Sequence, residues 1–191
     1  MLSVGTSYDG LIESWENMKI EIEAMSQENI KEIYDFELEN RQYFERTLPP
    51  RPAKYFNYES FKNLMNEILL EQLNGECYMC IVRDKSGKMV GRVNLSSIRG
   101  HNSKRAELGY RISENEQGKG YASEAIRLIL GEGAEKLDLK IIEAGTSTTN
   151  IGSQKVLFKN GFEQVGREKK VMMINGDWVD GLLFERCVAN G

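Results

Sequence analysis

In Gln117-Gly118-Lys119-Gly120-Tyr121-Ala122 the chain changes from a two-residue to a helical hydrophobic period. Upstream, Leu108-Gly109-Tyr110-Arg111-Ile112 alternates its side chains and reads as a strand. Downstream, Ala122, Ala125, Ile126, Ile129 and Gly133 recur at the spacing of one buried helix face. A strand, a Gly-containing turn and a helix start together make an anion site. First-turn N–H groups have no partner inside the helix, and the helix dipole favours negative charge there. Gly118 and Gly120 lack the β-carbon that would hold a ligand away from the backbone. The segment is expected to hold a phosphate-bearing molecule.

Two common phosphate loops do not fit. A P-loop needs G-x-x-x-x-G-K-[ST], and here the upstream glycine and the hydroxyl after Lys119 are both missing. A dinucleotide fingerprint needs G-x-G-x-x-G, but its third glycine position is Ser123 and no βαβ repeat surrounds it. The pattern that does fit is Q-x-x-G-x-A, from Gln117 to Ala122. A second element follows it. Lys140-Ile141-Ile142-Glu143-Ala144 reads as the next strand, followed by Asn150-Ile151-Gly152-Ser153 and by Val156-Leu157-Phe158-Lys159-Asn160-Gly161-Phe162. Asn150 suits a helix N-cap and Gly161 the position just past a helix end.

With both motifs in this order, N-x-x-S and L-F-x-x-G-F being the second, the chain resembles the GNAT superfamily of N-acetyltransferases over roughly residues 20 to 188. The resemblance implies an α/β fold, a single-domain mixed and mostly antiparallel sheet flanked by helices, with acetyl-CoA as cosubstrate. It assigns the pyrophosphate to N–H groups of Gln117, Gly118, Lys119, Gly120, Tyr121, Ala122 and Ser123. It lays the pantetheine arm along Tyr110, Arg111 and Ile112, where a main-chain N–H serves the thioester carbonyl, with Asn150 reaching the arm from the other side. Lys119 adds charge to a phosphate or is an ordinary exposed loop lysine; Tyr121 packs or covers the ribose.

Transfer to an amine needs a held coenzyme, a neutral amine and an oxyanion donor. Glu107 resembles the strand glutamate that serves as base in some branches, directly or through water, and Glu143 on the following strand is the other candidate. Many relatives carry a proton-donating tyrosine eight residues after the asparagine. Here that position is Phe158, which leaves Ser153 or water to protonate the thiolate.

A closer resemblance, to the RimJ/RimL type that acetylates N-terminal α-amines of ribosomal proteins, rests on Gly91-Arg92-Val93-Asn94-Leu95-Ser96, the strand at 108–112, the turn at 117–120, and Ile174-Asn175-Gly176-Asp177-Trp178-Val179-Asp180. The usual histidine after that last aspartate is Gly181 here. Acidity favours the same acceptor. Near pH 7.5 an α-amine with pKa near 8 is about one-quarter neutral, whereas a lysine is only ~0.1% neutral. Small-molecule amines (amino sugars, amino acids, polyamines) stay open, as does an acetyl-CoA sensor without catalysis.

With 191 residues, 40% of them hydrophobic, the chain suits one domain with a substantial core. Net charge of −4 with mixed signs gives no face for nucleic acid, and a mildly acidic surface could draw a basic peptide or amine. No apolar run reaches the ~18 residues of a membrane span, and no signal-peptide pattern opens the chain, so cytoplasm is the expected compartment. Cys77 and Cys80 have knuckle spacing, but no second pair follows and His101 is the lone histidine, so no metal and no disulfide are expected.

Along the chain, residues 1–17 form an N-terminal extension to a domain at 18–191. Leu11, Ile12 and Trp15 suit packing on the domain or on a second copy, which leaves a homo-oligomer open. A strand is expected at 18–25 and a helix from Ser26 to about Asn40. The connection Leu48-Pro49-Pro50-Arg51-Pro52 follows; the resemblance places it over the acceptor side. A helix at 60–73 should bury Phe61, Leu64, Met65, Ile68 and Leu69. Strands are expected at 77–83, 89–98, 105–112, 141–144, 166–174 and 178–187, with helices at 120–137 and 151–160. Asn175-Gly176 signals a tight hairpin.

Overall fold

The computed structural model describes residues 19–100 and 104–188. Residues 1–17, Met18 and His101 lie outside the described residues. Seven strands form one sheet in the order β1-β2-β3-β4-β5-β7-β6: β1 (Ile20–Ala24), β2 (Tyr78–Asp84), β3 (Met89–Arg99), β4 (Lys104–Ile112), β5 (Leu139–Ser147), β6 (Glu163–Ile174) and β7 (Asp177–Cys187). Every neighbouring pair is antiparallel except β4 and β5, which run parallel. A parallel pair needs a crossover, and α4 (Tyr121–Leu137) supplies it.

The alternation of β2 distributes its side chains between two cores. Cys80 and Val82 join a cluster containing Ala125, Ile126 and Ile129 of α4 and Leu157 of α5 (Ile151–Lys159). Met79 and Ile81 join Ile30, Ile33 and Phe36 of α1 (Ile30–Glu39), Phe44 of α2 (Arg41–Glu45), and Phe61 and Met65 of α3 (Tyr58–Leu73). Both faces of the sheet are thus covered. The two cysteines of the C-x-x-C are buried and free. Burial pushes the Cys77 thiol up to about 11 and the Cys80 thiol up to about 12, so both stay protonated as small core side chains.

Most expected elements are present, with differences at their ends. The helix expected from Ser26 opens as a 3-10 turn, Gln27–Asn29, in which Asn29 Oδ1 accepts the Ser26 N–H at 2.9 Å. The separate helix α2 was not expected. Asn57 caps α3 by accepting the Ser60 N–H, so that helix begins two residues early. Leu64, expected on its buried face, is exposed; on α3 Phe61 and Met65 are buried, and Ile68 and Leu69 are partly buried against the same cluster. At the β6–β7 hairpin Asn175 and Gly176 both take positive φ, 52° and 89°, as a tight primed turn requires. No helix among the described residues is long and apolar enough to cross a membrane.

Candidate active site

Beyond the Glu107–Glu143 pair, β4 and β5 part. Residues 108–112 continue against β3 and residues 144–147 against β7, with no strand between them among the described residues. Backbone polar groups on two facing edges need partners once water is excluded. The gap opens into a cleft of about 530 Å³. Its floor is residues 108–112, one wall is Ala144, Gly145, Thr146, Asn150 and Ser153, and one end is the turn before α4.

That turn is held open by its own residues. Gly118 and Gly120 have φ of 75° and 86°, conformations that only glycine adopts cheaply, and open space lies where a β-carbon would stand. Gly120 is the N-cap of α4 and no side chain caps that end. The N–H groups of the first turn therefore keep their donors for a ligand. The Gln117 side chain does not reach into the cleft as a donor; its Nε2 donates to the carbonyls of Ile112 (2.8 Å) and Ser113 (3.0 Å), tying the turn to the end of β4. Its backbone N–H is engaged with the Glu114 carbonyl. Asn160, which the motif reading passed over, donates to Ser123 Oγ at 3.1 Å and links the end of α5 to the start of α4.

Lys119 is absent from the cleft lining. Its ammonium is paired with Glu116, and that hydrogen bond holds its pKa above the usual lysine value. Tyr121 lines the cleft. Asn150 spends Oδ1 on the Ser153 N–H as the α5 N-cap, which leaves its amide NH₂ on the cleft wall. Tyr110 and Ser153 meet across the gap: the tyrosine hydroxyl donates to Ser153 Oγ at 3.0 Å. Burial raises the Tyr110 pKa, and the Ser153 contact opposes that rise. Alternation of β4 could have suggested that Tyr110 faces the helix side; its partner, 43 residues away, could not be foreseen. Phe158 instead packs edge-on against Phe184 at 5.3 Å and lies outside the cleft.

Neither candidate base lines the cleft. Glu107 has a half-exposed side chain with one cation, Arg99, at 3.8 Å. Burial pushes Glu143 up, but hydrogen bonds from Arg105 and Arg99 outweigh that and hold its carboxyl below the usual range. Of the two, Glu107 has fewer ion-pair partners. Leu48 and Thr47 line the cleft, while Pro49 and Arg51 line a small adjoining pocket. Arg46, just before them, is bound to Glu114 at 2.7 Å, and the Asn175 amide lies 3.5 Å from the Arg46 carbonyl. The proline-rich connection and the hairpin therefore meet beside the cleft.

A family model for the acetyltransferase (GNAT) domain matches residues 19–163. The chain belongs to this family and is an N-acetyltransferase. Probable N-acetyltransferase YjcK of Bacillus subtilis is 33% identical over 144 residues, 74% of this chain and 79% of that one. The ribosomal-protein-serine acetyltransferase of Escherichia coli is 24% identical over 88% of this chain and 93% of its own. Among solved structures, a ribosomal-protein-S5-alanine acetyltransferase from Vibrio fischeri matches with TM-score 0.84 at 24% identity, over 91% of this chain and 95% of that one. A Vibrio cholerae spermidine N-acetyltransferase in complex with CoA and spermine has TM-score 0.77 at 20% identity, over 90% and 96%.

Proposed function

We propose that this protein transfers the acetyl group of acetyl-CoA to the α-amine of a protein N-terminus. The observation that carries the coenzyme part is the parting of β4 and β5 over an uncapped, glycine-led helix start. In this reading the pyrophosphate takes the N–H groups of residues 118–123. The pantetheine amides pair with the free edge at Tyr110, Arg111 and Ile112, as a strand would, and the Asn150 NH₂ closes from the facing wall. The amine nitrogen attacks the thioester carbonyl, and a main-chain N–H of residues 110–112 stabilises the oxyanion. The C–S bond then breaks and the thiolate takes a proton. Ser153 Oγ, already accepting from the Tyr110 hydroxyl, has its own O–H free for the sulfur, and Tyr110 can resupply it. Glu107, acting through water, removes the amine's proton.

For the acceptor, the support is the Ile174–Asp180 tail, the overlap with the E. coli ribosomal-protein-serine enzyme, and the ready neutrality of an α-amine. The test is a panel of peptides beginning with Ser or Ala, blocked peptides carrying an internal lysine, spermidine, an aminoglycoside and free amino acids, read by mass spectrometry. Acetylation at the peptide α-amine is expected. Acetylation of the small amines alone overturns the protein-acceptor reading and leaves acetyl transfer standing. In the same assay Glu107→Gln should lower kcat by about 10²-fold with CoA affinity intact; the same loss in Glu143→Gln alone would move the base to β5.

A further inference from the structure

A second, smaller pocket adjoins the cleft and shares Phe44 and Arg111 with it. Its charged lining is mostly arginine, in a chain whose net charge is −4. Glu37, almost wholly buried, receives Arg92 Nε on one oxygen and an Arg111 N–H on the other, both at 2.6 Å. One carboxylate thus serves two guanidinium groups. Arg41 pairs with Glu45 at 2.9 Å. Arg51, on the proline-rich connection, has no carboxylate within ion-pair distance among the described residues and lies 5.1 Å from the Tyr55 ring centre. The pocket lining therefore carries three arginines, Arg41, Arg51 and Arg111, against two glutamates, Glu37 and Glu45, and one of those glutamates is also bound by Arg92.

Arg111 is the pivot. Its side chain is 9% exposed, stacks on Phe44 at 4.8 Å, and makes one hydrogen bond, to Glu37. No buried side-chain nitrogen among the described residues lacks a partner, so its remaining N–H groups reach the cavity surface. A guanidinium offers five donors in a planar fork suited to a carboxylate. Its backbone belongs to the stretch read above as the bed of the thioester. Arg111 also lines the cleft, so a group held by its side chain lies beside the proposed thioester site.

We infer that this pocket seats a carboxylate of the acceptor, close in the acceptor's chain to the attacking amine, with Arg111 and Arg51 as its ligands. The acceptor is then an N-terminus followed by an acidic residue and not a polycation, which the surplus arginines repel. The pocket's volume of about 10 Å³ is room for roughly one water-sized group, so the carboxylate enters as exposed Arg51 swings to meet it. This inference rests on acetyl transfer at the adjoining cleft.

The test compares kcat/KM for two peptides that differ only in Asp or Asn at the second position, for free aspartate and asparagine, and for spermidine. Wild type, Arg51→Ala and Arg51→Glu are assayed, with CoA affinity as the check on folding. The acidic peptide should be preferred by about tenfold or more, a preference that shrinks to under about threefold in Arg51→Ala and reverses in Arg51→Glu. Preference for aspartate over asparagine without peptide turnover keeps the carboxylate seat and moves its source to a free amino acid. Equal use of acid and amide, a preference unchanged by Arg51→Ala, or spermidine as the best acceptor overturns the inference alone. Turnover of no acceptor counts against the proposed function and takes the inference with it.

Discussion

The coenzyme cleft and the arginine pocket touch at Phe44 and Arg111, yet they are built by different means. In the proposed reading the cleft recognises through backbone: N–H groups at a helix start and a strand edge left open. Backbone recognition needs a local conformation, and a local conformation is set by neighbours in sequence, here Gly118 and Gly120 with φ near 80°. The pocket is proposed to recognise through side chains carried by α1, α2, the proline-rich connection and β4. Glu37, Arg51, Arg92 and Arg111 share no spacing; only the fold brings them together. Cofactor sites of the first kind yield motifs, whereas acceptor sites of the second kind yield none.

That contrast is most directly broken at Gly120. Gly120→Glu forces a side chain into positive φ and sets a carboxylate where the pyrophosphate is proposed to lie. The folded variant should lose at least about 10²-fold in CoA affinity by calorimetry, combining backbone strain with charge repulsion. Unchanged affinity would remove the reading of the cleft and leave the pocket untouched.

The pocket answers to Glu37. Burial pushes this carboxyl up, yet the charges of Arg92 and Arg111 and the Arg92 hydrogen bond bring it below the usual range. A lowered folded pKa means that the stabilisation is full above the ordinary carboxylate value of about 4.3 and is lost as pH falls through the folded value. Glu37→Gln leaves two buried guanidinium groups uncompensated and should cost about 3–5 kcal/mol at neutral pH. Denaturant melts from pH 7 to 3 should show a flatter acid limb than wild type. A variant as stable as wild type would mean that the cluster does not organise this side of the protein.

The smallest effect sharpens the line between backbone and side-chain recognition. Lys119 sits inside the motif, but its ammonium is turned to Glu116. Lys119→Ala should change CoA affinity by less than about threefold, the scale of an exposed charge pair. A tenfold loss would show that the lysine leaves Glu116 for a phosphate when the coenzyme binds.

The legible parts of the fold share one property. The helix at α4, the Asn150 N-cap, the Asn175-Gly176 hairpin and the burial of Cys77 and Cys80 all follow from period or from one residue's own preference. Leu64 fits the helical period of α3 as well as Phe61 does and is nevertheless exposed, because how wide a stripe a helix buries depends on what packs against it. The extra helix α2 follows Asn40, whose side chain donates to the Phe36 carbonyl and ends α1, a break that periodicity does not register.

By itself the sequence determined the coenzyme side: family, mixed α/β sheet, glycine turn and the two motifs that flank the cleft. These depend on φ, ψ and hydrophobic period, properties that a residue carries with it into any fold. Tertiary structure alone decided that β4 and β5 part after Glu107, that Tyr110 meets Ser153, that Glu143 is occupied by Arg99 and Arg105, and that Arg92 and Arg111 meet on Glu37 with Arg51 in the same pocket. Coulomb energy and hydrogen bonding depend on distance in space, and residues 37, 51, 92 and 111 acquire a distance only when the sheet and its helices have packed.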